Sequence, residues 1–162
     1  MTDGWGEFFV AVAGAAAALA GLIIVAMSVT IKQILASPAL PSRAASTVSS
    51  MVLILVVSVL ALIPHQPDLA FGTEVVLASA VGLVPPAVMV RRMARDSSYQ
   101  RSALSRTLIG LIGVVPVALA LVGGILIMVG ASAGMAFLAA AIVAVLPTAM
   151  LNVWVLLVEI QR

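Results

Sequence analysis

The sequence predicts an all-α integral membrane protein, a helical bundle with five transmembrane helices, and two observations carry that prediction. Of the 162 residues, 64% are hydrophobic and only 9% are charged, whereas a soluble domain carries roughly a quarter charged residues. The apolar residues also form long charge-free runs, and a helix of about 20 such residues crosses the hydrocarbon core of a bilayer. We therefore expect residues 1–162 to form a single transmembrane domain.

The charge-free runs place the predicted spans in chain order. The third is short and contains Pro85 and Pro86, so a re-entrant segment is the alternative to a full crossing. The last two are separated by a glycine-bounded turn over residues 130–134. The five spans are expected at approximately 8–31, 44–63, 75–90, 107–129 and 135–158.

The positions of the basic residues predict the orientation, because cytoplasmic loops near span ends collect Lys and Arg. With the N-terminus outside and the C-terminus in the cytoplasm, all eight basic residues fall on the cytoplasmic side, most of them in the loop 91–106. Such a bias predicts one orientation for every copy, so that any homo-oligomer is parallel. The basic residues are Lys32, Arg43, Arg91, Arg92, Arg95, Arg101, Arg106 and Arg162.

Composition also bears on partners and chemistry. The pI is near 9.9, but the net charge is only +2, and the basic residues lie beside apolar segments. We therefore expect the lipid bilayer, and not nucleic acid, as the partner. The chain has no cysteine and a single histidine, which excludes thiolate sites and multi-histidine metal or haem ligation. No paired acid and base, activated nucleophile or phosphate loop is evident. Neither an enzyme nor a bound cofactor or metal is expected.

The first span carries a face of small and polar residues. Its members recur at alternating spacings of four and three, which places them on one side of a helix. Such a face is typical of a packing seam between membrane helices; alternatively, it lines a pore at the centre of a parallel oligomer, with charge rings at both mouths. The face consists of Glu7, Ala11, Gly14, Ala18, Gly21, Val25, Ser28 and Lys32.

Two further groups of polar residues are candidates for function. Thr148, Asn152 and Glu159 share a face of the fifth span, and buried polar groups in a membrane imply partners. For Asn152, an interhelical hydrogen bond and a permeation or ligand site are both open. Arg91, Arg92 and Arg95 are candidates for binding lipid headgroups, since basic residues attract an anionic leaflet.

Several apolar stretches resemble a family of short, uncharacterised bacterial membrane proteins that is common in actinobacteria. The resemblance implies a multi-pass protein of the bacterial inner (plasma) membrane and supplies no catalytic residues. It rests on Trp-Gly-Glu-Phe-Phe at 5–9, the Ala- and Gly-rich run at 13–21, Leu-Pro-Ser-Arg-Ala at 40–44 and the segment 152–160.

These features predict a parallel homo-oligomeric ion channel or pore, with the first span nearest the axis. The first alternative is an accessory or scaffold subunit that modulates another membrane complex, with the small-residue faces as contact surfaces. The second alternative is a membrane protein that binds a lipid or small ligand through the face of Asn152.

Overall fold

A computed structural model describes residues 4–36, 40–95 and 103–159 of the chain. These residues form helices joined by short connections, and no strand occurs among them. The helices are α1 (Gly6–Val29), α2 (Ile31–Ala36), α3 (Leu40–Ala61), α4 (Asp68–Gly82), α5 (Val84–Arg95), α6 (Ala103–Met128) and α7 (Ala133–Glu159).

Five helical segments in the described residues are long and apolar enough to cross a membrane, which confirms the predicted fold class. α1, α3, α6 and α7 each contribute one segment, and α4 with α5 contributes another. α2 is a short extension after α1, set off by the non-helical backbone of Thr30. The candidate spans are Gly6–Val29, Leu40–Ala61, Asp68–Arg92, Gly110–Met128 and Ala133–Trp154.

The third segment is longer than its charge-free run. It is 25 residues long because the helix already begins at Asp68 and includes Glu74, whose carboxylate accepts a hydrogen bond of 2.6 Å from Gln66. Asp68 lies in the first turn, where a negative charge is favourable. The two prolines fall in the first turn of α5, where their missing N–H groups break no helical bond. The third segment is therefore a helix interrupted at Leu83 and long enough to cross.

The connection between α6 and α7 contains Gly130, whose backbone conformation ends α6. Gly130 has φ +75, a left-handed conformation that L side chains disfavour. Its N–H donates to the carbonyl of Ile127, and the N–H of Ala131 donates to that of Leu126. Both bonds satisfy carbonyls at the end of α6. The turn lies where the sequence predicts it.

α3 is the central helix of the bundle. It contacts every other described helix, and it is the most buried of the five spans. α6 packs mainly on α4 and α7, whereas α1 packs mainly on α3 at the periphery. The core side chains include Phe9, Met51, Val57, Phe71, Val75, Ile127 and Leu138.

Glycines allow α4, α6 and α7 to approach closely. A Cβ on Gly72 of α4 would lie 2.7 Å from the backbone nitrogen of Met128 and 2.8 Å from the carbonyl oxygen of Gly124, both in α6. On the other side of α6, a Cβ on Gly123 would lie 3.0 Å from the backbone nitrogen of Leu138. Close backbone approach of this kind supplies the van der Waals contact that holds membrane helices together.

We predict that Gly72→Ala destabilises the bundle by about 1–3 kcal/mol, because the added methyl group meets backbone atoms that cannot move independently. The matched control is Gly14→Ala in α1, where a Cβ meets nothing within 4 Å. That variant should be neutral or slightly stabilising, since alanine favours a helix over glycine. Unfolding in mixed detergent micelles measures both; equal stability of the two variants would contradict the close packing.

Candidate functional site

The face of small and polar residues on α1 points away from the rest of the protein. All eight members, from Glu7 to Lys32, are exposed. Gly14 and Gly21 have open space around the position of a Cβ, so no described helix covers this face. The structure thus places the candidate residues Glu7, Gly14, Gly21 and Ser28 together on one unoccupied surface, which we call the α1 outer face.

The opposite side of α1 attaches it to the bundle. Phe9, Val12, Ala16 and Ile23 are buried, and they lie roughly half a helical turn from the outer face at about 100° per residue. Part of the apolar surface of α1 is therefore used within the chain. The exposed surface of α1 carries the small and polar face and, beside it, large apolar side chains that are suited to contact with lipid. These are Val10, Leu22, Ile24 and Val29.

Lys32 does not continue the same helix without interruption. It lies on α2, beyond Thr30, whose φ of −105 and ψ of 14 depart from helical geometry. α2 packs on the start of α3 through buried Ile34 and Ala44. Lys32 itself is exposed, so its ammonium lies at the end of the outer face but on a separate turn of helix.

A second group of polar residues is buried at the beginning of α3. Ser42, Arg43, Ser46, Thr47 and Ser50 are all nearly inaccessible. The hydroxyl of Thr47 donates to the carbonyl of Arg43 at 3.0 Å, and that of Ser50 donates to the carbonyl of Ser46 at 3.0 Å. These bonds satisfy the hydroxyls within their own helix, as is usual in apolar surroundings.

The guanidinium of Arg43 links α3 to α7. Its Nε and Nη2 donate to the amide oxygen of Asn152 at 3.3 and 3.1 Å, and only 7% of Arg43 is exposed. The structure therefore gives Asn152 an interhelical hydrogen bond, one of the two interpretations that the sequence leaves open. Thr148, one turn earlier, instead donates to the carbonyl of Val145 in its own helix.

A small cavity lies beside this pair, between α3, α6 and α7. Its volume of about 10 Å³ matches roughly one water molecule. Pro116 lines it and has no N–H, so the carbonyl of Ile112 lacks its usual helical donor. The serine, threonine and asparagine side chains of its lining make the cavity polar. The cavity is lined by Ser46, Thr47, Ser50, Ile112, Gly113, Pro116, Val145, Thr148, Ala149 and Asn152.

The basic residues of the predicted headgroup site are only partly described. Arg91 and Arg92 are exposed on α5. This helix lies near the beginning of α3, because a Cβ on Gly113 would be 3.2 Å from the side chain of Met89 in α5 and 3.8 Å from that of Ser46 in α3. The side chains of Arg95 and Glu159 lie outside the described part of the structure, as do Arg101 and Arg162.

Sequence reasoning did not single out Arg43 as a site residue or pair it with Asn152. A signal was available: Arg43, Ser46, Thr47 and Ser50 recur at helical spacing, so they share a face at the start of a span. An arginine on a face of hydroxyls indicates burial against a polar partner. The partner itself is not predictable from local sequence because Asn152 belongs to a distant helix.

In the described ranges, no group of three His, Asp or Glu side chains is placed to hold a metal ion. The chain matches no family of known proteins, no curated protein and no solved structure.

We predict that Asn152→Leu destabilises the bundle by about 1–3 kcal/mol, because Arg43 loses a buried acceptor. Arg43→Met with Asn152→Leu removes both ends of the bond, so its destabilisation should be less than the sum of the two single changes. A double-mutant cycle should give a coupling of about 1 kcal/mol. Thr148→Val, which affects a bond within α7, is the control; a coupling of zero would contradict the proposed importance of the pair.

Proposed function

We propose that this protein forms a parallel homo-oligomeric pore in a bacterial inner membrane, with α1 nearest the axis. The observation that supports the proposal is the α1 outer face, which is exposed from Glu7 to Ser28 and uncovered at Gly14 and Gly21. Since α1 is attached to the bundle by its opposite side, a ring of protomers can turn this face inward without rearranging the fold.

Small residues favour contact with other helices over contact with lipid. They let backbones approach closely, and van der Waals contact then stabilises the assembly. Within the chain, the glycines at the α4–α6 contact illustrate this use of small residues. The glycines of the α1 outer face have no such neighbour in the protomer. A second copy of the chain would supply that neighbouring helix.

The charges at the two ends favour a hydrated axis over a dry seam. In a parallel assembly, copies of Glu7 gather at one mouth and copies of Lys32 at the other. From Glu7 to the end of α1 at Val29 the helix extends about 33 Å, which exceeds the hydrocarbon thickness of about 30 Å. Lys32 lies beyond that end, so both charges lie at the level of water and headgroups. Like charges in a ring repel unless water separates them, and rings of charge are typical of pore mouths.

The distribution of basic residues supports a common orientation. Lys32, Arg43, Arg91 and Arg92 lie towards the end of the bundle where α3 begins and α5 ends, whereas Glu7 lies at the other end. By the positive-inside rule, the basic end faces the cytoplasm.

We predict that a reporter active only in the cytoplasm is active when fused after Arg162. A reporter active only in the periplasm should be active when fused before residue 1. The reverse pattern, or activity of both kinds at one terminus, would contradict the proposed orientation. It would also remove the argument that copies assemble in parallel.

We predict that Ala18→Leu disrupts the assembly and abolishes ion flux, because a bulky side chain on the α1 outer face prevents close approach. The matched control is Ala15→Leu, which is also exposed on α1 but lies about 90° from the centre of that face. Native mass and flux across reconstituted vesicles measure the two effects. Glu7→Gln and Lys32→Gln should leave the assembly intact and change the selectivity between cations and anions.

Cysteine cross-linking tests the parallel arrangement directly, because the chain has no cysteine of its own. Ser28→Cys should cross-link to itself between copies, while a mixture of Glu7→Cys and Ser28→Cys chains should give no mixed product. A protein that stays monomeric, or whose flux is the same in all variants, contradicts the pore. Stoichiometric recovery with a different membrane complex, lost in Ala18→Leu but not in Ala15→Leu, would favour the accessory subunit.

A further inference from the structure

A groove of about 350 Å³ runs between α3 and α4 on the outside of the bundle. Val52 and Val56 of α3 line one wall, and Leu77 and Val81 of α4 line the other. All four side chains are exposed, Val81 to 73%. The groove lies within two helices that are long and apolar enough to cross a membrane, so in a bilayer it opens towards the lipid.

An exposed apolar stripe continues from the groove along α5. Val81 is followed by Val84 and Val88, which are 59% and 38% exposed. Their spacing of three and four residues keeps them on one side of the helix pair. The stripe ends at Arg91 and Arg92, both exposed, about 15 Å from Val81 along the helix. A concave apolar surface therefore leads to two positive charges near one end of the bundle.

We propose that this surface binds one anionic phospholipid of the surrounding bilayer. An acyl chain lies in the α3–α4 groove and along the stripe, and the phosphate of the headgroup contacts Arg91 and Arg92. This site is separate from the α1 outer face and does not depend on the proposed pore.

Charge and size select the occupant. Two arginines at the end of an apolar path complement a molecule that has a negative head and a hydrocarbon tail. A transmembrane helix of another chain is about 10 Å wide, so only one edge of it would enter the groove. An acyl chain is much narrower and fits the groove.

The test compares the intact protein in nanodiscs with phosphatidylglycerol and with phosphatidylcholine of the same acyl chains. After transfer to detergent, native mass spectrometry measures the lipid that stays bound. We expect one retained phosphatidylglycerol and little phosphatidylcholine. Arg91→Gln and Arg92→Gln should each weaken retention about fivefold, whereas Lys32→Gln, which removes an exposed cation on α2, should not change it.

The apolar part of the site has its own variant. Val81→Trp fills the groove and should displace the lipid, while Val143→Trp, at a similarly exposed valine of α7, should not. Equal retention of the two lipids, or retention unchanged in Arg91→Gln, Arg92→Gln and Val81→Trp, overturns the proposal. If the unmodified protein retains no lipid and Val81→Trp loses self-association, a second copy of the chain is the occupant, and the proposal is likewise overturned.

Discussion

The hydrocarbon core of a bilayer offers no hydrogen-bond partners, and this constraint organises the molecule. Every backbone N–H and C=O within a span must be satisfied by the chain itself, which restricts the spans to helices. Some polar side chains meet the same requirement within their own helix: Thr47, Ser50 and Thr148 each donate to a carbonyl of that helix. Arg43 donates instead to Asn152 on another helix. This hydrogen bond favours one register of α7 against α3.

Small residues serve two different purposes in this chain. At Gly72 and Gly123 they face backbone atoms of neighbouring helices, and at Gly124 they face valine side chains of α4, so that α4, α6 and α7 pack within the protomer. At Gly14 and Gly21 they face open space. Glycine therefore occurs at helix contacts within the protomer and, in the proposed assembly, at helix contacts between copies of the chain. The difference lies in the neighbours and not in the glycines.

The two proposed sites use different surfaces of the protein. α1 lies on one part of the surface of α3, and the groove between α3 and α4 lies on another. A pore with α1 at its axis would leave the lipid groove and its arginines at the perimeter, in contact with the bilayer. Assembly and lipid binding are thus compatible on a single fold.

The number of membrane-spanning segments and their approximate positions follow from sequence alone. The reason is that the hydropathy of a stretch of about 20 residues is a local property, and it decides whether that stretch can cross a bilayer. The same local reading made the third span too short, since it excluded Asp68 and Glu74, which a helix end can accommodate. Only the tertiary structure decided that Arg43 is buried against Asn152, that Gly72 packs on α6, and that the α1 outer face is uncovered. Each of these depends on which distant helix lies opposite, and no local pattern specifies that partner.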